Sequence, residues 1–125
     1  MPAALRRALV YGLHQVGGRP VRTVQELATA VGSSPVTLSR AYSTRVDGAT
    51  TLSRFLGGLV ILRAQQIRLS GPSWTVVSNR LGFAPGTLRR KSRRWPGHSL
   101  GELERTAPNH LFSAFVEEYV RPLLD

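Results

Sequence analysis

Displaced by 50 positions, the chain matches itself. Val24 falls on Trp74, Leu27 on Val77, Val31 on Leu81, Gly32 on Gly82, Pro35 on Pro85, Thr37 on Thr87, Leu38 on Leu88 and Arg40 on Arg90. Apolar positions fall on apolar positions, and the turn glycine falls on a glycine. Each copy reads as a short helix, a glycine turn and a second helix, which is the helix-turn-helix layout. Glycine tolerates the positive φ at which the chain reverses. The leucine that follows, Leu38 or Leu88, locks the second helix onto the first and leaves its other faces free.

The remaining segments are helical in period as well. Ala4, Leu5, Ala8, Leu9, Leu13 and Val16 recur at helical spacing before Gly17-Gly18 and Pro20 stop the helix. Thr23 and Glu26 have the spacing of a capping box, and Ser34 precedes Pro35 as a cap before a first-turn proline. The first unit's second helix is expected to run to about Ser43. Thr50 to Leu69 reads as one long helix with Gly57-Gly58 inside it, where each glycine costs about 1 kcal/mol relative to alanine. That cost implies a bend or a very close neighbour. Further helices are expected over Trp74–Leu81, over Pro85–Arg94, and from an Asn109 cap to Pro122, the last with a stripe of Leu111, Phe112, Phe115, Val116, Tyr119 and Val120. The expected fold is all-α: a first helix-turn-helix subdomain (1–49), a linker helix (50–70), a second subdomain (71–106) and a C-terminal helical extension (107–125). Trp74 and Trp95 are expected in the core.

Seventeen basic residues against seven acidic give a formal charge of +10 on 125 residues. On so small a domain this surplus points to a polyanionic partner. Arg89, Arg90, Lys91, Arg93 and Arg94 place five cations within six residues with no acid between them. The chain has no cysteine, so disulfides and thiolate metal sites are excluded. No apolar run approaches the roughly 20 residues of a membrane span, and residues 1–12 lack the apolar core of a secretion signal; a cytoplasmic, nucleoid-associated location is expected. His14, His98 and His110 have no metal-ligand spacing, and the seven carboxylates form no acid–base pair. No serine sits in a nucleophile elbow and no glycine-rich loop suits a nucleotide. The reading is therefore a non-enzyme without cofactors.

At this point the sequence resembles the AraC/XylS-type DNA-binding domain of bacterial transcription activators. The residues that carry the resemblance are Leu27-Ala28, Val31-Gly32, Ser34, Leu38, Arg40 and Tyr42, then Gly48, Phe55-Leu56 and Ala64, then Trp74, Val77, Leu81, Gly82-Phe83, Gly97 and Ser99. It spans about residues 5–105. The chain departs from the pattern at Val60, where the family usually carries arginine, and at Gly57-Gly58. The resemblance implies a stand-alone member without an effector domain. Its two recognition helices would enter successive major grooves of duplex DNA, and it would act on transcription by recruiting RNA polymerase.

Base-reading positions carried over from the family are Val36, Ser39 and Arg40 around Leu38, and Gly86, Arg89 and Arg90 around Leu88. A valine suits a thymine methyl and an arginine suits guanine O6 and N7; Gly86 has nothing to read with. Ser33, Ser34 and Thr37, with Thr87 as the counterpart of Thr37, are expected phosphate donors. Most of the cluster from Arg89 to Arg94 is expected on phosphates, making the second unit an electrostatic clamp and the first the more selective reader. Two alternatives stay open. One is a protein-interaction module whose C-terminal helix docks a partner or a second copy. The other is a DNA-binding accessory protein of replication or packaging.

Overall fold

A hydroxyl side chain opens most of the helices. Thr23, Ser34, Thr51, Ser73 and Ser99 accept hydrogen bonds from the backbone N–H groups of Glu26, Thr37, Arg54, Val76 and Glu102. Each bond satisfies an N–H group that a helix start leaves unpaired. In the computed structural model, which describes residues 1–84 and 86–124, these caps begin α2 (Val24–Val31), α3 (Pro35–Arg45), α4 (Leu52–Leu69), α5 (Trp74–Leu81) and α7 (Leu100–Arg105). The other helices are α1 (Ala3–Gln15), α6 (Thr87–Arg94) and α8 (Pro108–Phe115), which continues through a π-helical turn (Val116–Val120) into α9 (Arg121–Leu124). The described residues contain no strand, so the fold class is all-α as expected.

The 50-residue repeat is visible in the backbone. Gly32 and Gly82 end α2 and α5 in the left-handed region, at φ 68° and 77°. The caps Thr23 and Ser73 are also 50 apart. The repeat breaks at one cap: Ala84 stands where Ser34 stands in the first copy. Without a side-chain oxygen there, α6 starts at Thr87 behind Gly86 and has no side-chain cap. The helix expected from Pro85 is thus shorter at its start, and Pro85 itself lies outside the described residues. At Thr23 only half of the expected capping box forms, because the Glu26 carboxylate lies 3.5 Å from Arg22 Nε. A complete capping box appears instead at Ser99 and Glu102, where S-x-x-E in the sequence was the signal.

Apolar burial divides into two clusters on either side of α4. Leu5, Leu9, Leu27, Leu38 and Tyr42 pack with Phe55, Leu56, Leu59 and Leu62 of α4. Val77, Leu81 and Leu88 pack with Val60, Ala64 and Ile67. Val60, at a position where an arginine was the family expectation, is fully buried in the second cluster. With eleven buried residues, α4 is apolar over most of its circumference, as a helix packed on several sides must be. Trp95 is in the core as expected, whereas Trp74 is only half-buried, with the Arg68 guanidinium 6.0 Å from its ring centroid. Leu13 and Phe112 leave the stripes assigned to them and are 48% and 58% exposed.

The two glycines inside α4 have different reasons. A Cβ on Gly58 would lie 2.8 Å from Phe115 Cε2 and 3.2 Å from Tyr119 Cε2, so this glycine admits the C-terminal segment against α4. A Cβ on Gly57 would meet nothing within 4 Å. The neighbour-approach expectation therefore holds for one residue of the pair. Phe115 and Tyr119 bring with them a cluster of rings: Phe55 lies 5.8 Å from Tyr42, 5.5 Å from Phe115 and 6.4 Å from Tyr119, and Trp95 lies 5.8 Å from Phe115 and 5.6 Å from Tyr119. The extension thus packs back on its own chain, touching α3, α4 and the residue after α6 at once. Arg45 Nε, in the last turn of α3, donates to Leu123 O at 2.8 Å and fixes the far end of the extension.

Two boundaries of the extension differ from expectation. It begins at Pro108, which suits a first helical position, with Ala107 rather than Asn109 at the cap. It also does not end at Pro122. The π turn, in which Arg121 N–H bonds Val116 O, widens the helix where a proline would otherwise clash with a preceding carbonyl. On the other side of α4, buried Gln65 donates to Leu103 O at 3.0 Å and Thr106 O at 2.8 Å, tying down the end of α7.

Urea unfolding should report this arrangement. Phe115→Ala is expected to cost about 3–5 kcal/mol and Gly58→Ala about 1–3 kcal/mol. The double variant should cost clearly less than the sum, because the added methyl then occupies the space of the lost ring; strict additivity would place Phe115 elsewhere. Tyr42→Phe should leave stability unchanged or raise it by about 1 kcal/mol, because its buried hydroxyl has no partner.

Candidate functional site

The sequence of α6, Thr-Leu-Arg-Arg-Lys-Ser-Arg-Arg, leaves few positions for the core. Leu88 and Ser92 are buried, with Trp95 one turn on, and the Ser92 hydroxyl donates to His98 O at 2.8 Å. With 100° per residue, Arg89 and Arg93 then project from one flank. Thr87, Arg90, Lys91 and Arg94 occupy the opposite flank, which faces the first turns of α4. Arg89, Arg90, Arg93 and Arg94 are exposed, while Lys91 and Thr87 are half-buried. The five cations are therefore split into two groups with different surroundings.

The second group lines a cleft of about 220 Å³ between α4, α6 and the extension. Arg54, Ser53 and Gly57 of α4 form one wall, Thr87, Arg90, Lys91 and Arg94 the other, and Gly58, Trp95 and Tyr119 close the back. No carboxylate is among the lining residues. Arg90 Nη2 donates to Thr87 Oγ1 at 3.2 Å, which ties the guanidinium to the first turn of its own helix. Burial, with Arg94 as a second cause, holds the Lys91 ammonium below the usual lysine range. Burial pushes Tyr119 up to about 12, with Glu118 adding to the rise and Arg54 opposing it. Tyr119 is thus a neutral phenol at physiological pH.

The first unit has a wider cleft of about 500 Å³, where Arg40, Thr44 and Arg45 of α3 face Met1 and Pro2, and it presents an exposed helix face. Leu38 and Tyr42 of α3 are buried, and Val36, Thr37, Ser39 and Arg40 are exposed. Val36 is 56% exposed, a large apolar side chain left in water at the position assigned to base contact. Ser34 is used as the α3 cap, accepting Thr37 N–H at 3.3 Å, and the half-buried Ser33 bonds through its backbone N–H to Ala28 O. Of the expected hydroxyl donors, the Ser34 side chain is thus already engaged. Gly86 is the cap residue of α6 and offers only backbone.

The second turn is also tied to the loop before α2. Arg22 Nη1 donates to Gly82 O at 2.7 Å, and the Phe83 ring has the Arg22 guanidinium 5.9 Å and the Lys91 ammonium 5.4 Å from its centroid. The Gly82-Phe83 pair thereby joins the two units at a surface rich in cations. Arg22 pairs with Glu26 at this surface, Arg68 pairs with Glu104 and Arg121 with Glu117 away from it, and His98 Nδ1 lies 3.7 Å from the Glu102 carboxylate. None neutralises an α6 cation. The described residues contain no group of three potential metal ligands, and no helix among them is long and apolar enough to cross a membrane.

Comparison with protein-family models, with curated proteins and with solved structures gives no match. Arg54, Gly57 and Tyr119 were not singled out from the sequence as site residues. The paired glycines were the available signal, since a glycine with no packing neighbour in a helix interior has an unexplained cost.

The two turn glycines should differ in sensitivity. Gly32→Ala meets only backbone strain, about 1–2 kcal/mol. Gly82→Ala meets the same strain and also places its methyl against the Arg19 and Arg22 guanidinium groups. Denaturant midpoints of the two variants should fall in that order through loss of the Arg22–Gly82 hydrogen bond, and equal midpoints would show that the guanidinium groups move aside without cost.

Proposed function

We propose that the chain is a DNA-binding transcription regulator, with α2–α3 and α5–α6 as helix-turn-helix units, α4 as the helix linking them, and α3 and α6 as recognition helices for successive major grooves. The observation that carries this reading is one shared arrangement. In both repeat-related helices the leucine face is buried, and the outward positions hold exposed side chains suited to phosphates and base edges. The charge of +10 gives the long-range attraction to a polyanion. The resemblance to AraC/XylS-type domains supports the same reading, with RNA polymerase as the protein contacted at a promoter.

The two units have different chemistry toward DNA. Val36, Ser39 and Arg40 combine an apolar contact, a hydroxyl and a guanidinium, which can discriminate bases. Arg89, Arg90, Arg93 and Arg94 supply mainly charge, which gives affinity without sequence information. The first unit is the reader and the second is the clamp.

Fluorescence anisotropy on random and pool-selected duplexes across a salt series tests this. Arg90→Ala should weaken both duplexes by a similar factor and lower the salt slope by about 1. Val36→Ser should spare the random duplex and cost about 1–3 kcal/mol on the selected one. Absence of duplex binding at low salt would leave the interaction-module reading. Binding without any selectable sequence would favour an accessory role in replication or packaging.

A further inference from the structure

We propose that the cleft between α4 and α6 is a binding site for a phosphate group. Four cations converge on it from two elements, Arg54 from α4 and Arg90, Lys91 and Arg94 from α6. Such convergence in the free protein is unfavourable, since like charges repel and Lys91 is partly removed from water. Two of the four are held by neighbours. Thr87 positions Arg90, and the Phe83 ring lies beneath Lys91.

The floor of the cleft points the same way. Gly58 has a packing reason, the Phe115 ring, whereas Gly57 has none and borders the open volume. A larger residue at 57 would improve the helix and fill the cleft. Its absence keeps open a space of about 220 Å³ lined by four cations and three hydroxyl-bearing side chains, with Trp95 and the two glycines completing it. The ligand class follows from charge and shape. Planar guanidinium forks pair with two oxygens of one tetrahedral anion, and a multiply charged anion relieves four like charges where a monocarboxylate relieves few.

Two sources offer this chemistry: a free phosphorylated small molecule and the backbone of a bound duplex. Occupation by either does not require that the chain read sequence. If the proposed DNA surface is used, Arg90 and Arg94 belong to both, and a free phosphorylated ligand would compete with DNA.

The test uses the full chain and pyrophosphate at constant ionic strength. Isothermal titration should give saturable one-to-one binding with Kd below about 1 mM, and Gly57→Leu and Arg54→Gln should each weaken it at least about tenfold. Circular dichroism and thermal unfolding establish that both variants are folded, and Gly57→Leu leaves every charge in place. Anisotropy with a random duplex forms the second arm. Pyrophosphate displacing duplex from the wild type but not from Gly57→Leu supports a cleft shared by both sources. Duplex affinity reduced in both variants, without pyrophosphate binding, supports the cleft with backbone phosphate as its occupant. Pyrophosphate binding without duplex binding supports the cleft and removes the DNA reading. The proposal is overturned if neither ligand responds to Gly57→Leu and Arg54→Gln, because attraction is then diffuse over the basic surface.

Discussion

The packing of Phe115 against Gly58 is the contact on which the rest of the arrangement depends. The missing side chain at 58 lets a ring reach the α4 backbone, and from there Phe115 and Tyr119 meet Phe55, Trp95 and, through Phe55, Tyr42. Aromatic pairs at these separations add about 0.5–1.5 kcal/mol each beyond their buried area. The cluster joins α3 of the first unit to the residue after α6 of the second. The second unit's Trp95 thereby enters the first cluster, while its Val77, Leu81 and Leu88 keep a separate one. The Arg22–Gly82 hydrogen bond joins them again at the opposite turn.

The same packing has an electrostatic consequence. Tyr119 and Trp95 close the back of the cleft, and α6 is held with Lys91 and Arg94 toward Arg54. The structure thus concentrates positive charge in a cleft that no carboxylate lines. The pairs formed by Glu26, Glu104 and Glu117 are at least partly solvent-exposed and contribute little to stability. Their location matters more than their strength, since they leave the α6 cations free to act on an external anion. In the proposed reading, the protein carries a repulsive cost at rest that a nucleic acid or a phosphorylated ligand relieves.

Much of the fold was legible before any coordinates. The repeat placed Gly32 and Gly82 at turns, and Leu27, Leu38, Val77 and Leu88 in cores, because local periodicity and left-handed turns are properties of short segments. The errors have local causes as well. Ala84 lacks the oxygen that Ser34 offers, which delays α6. Pro122 is tolerated because a π turn precedes it, and no residue type announces a π turn. Leu13 and Phe112 have the right period for burial but line an open groove between α1, α4 and α8.

By itself the sequence determined the helical period, the duplicated turns, the caps at Thr23 and Ser34 and the surplus of positive charge, all of which rest on residues close together in the chain. Only the tertiary structure decided that Gly58 is a contact and Gly57 an opening, that the extension bridges the two units, and that Arg54 joins Arg90, Lys91 and Arg94. Those relations connect residues 20 to 78 positions apart. They follow from which helix faces meet, and a periodicity read along one helix does not specify its neighbour.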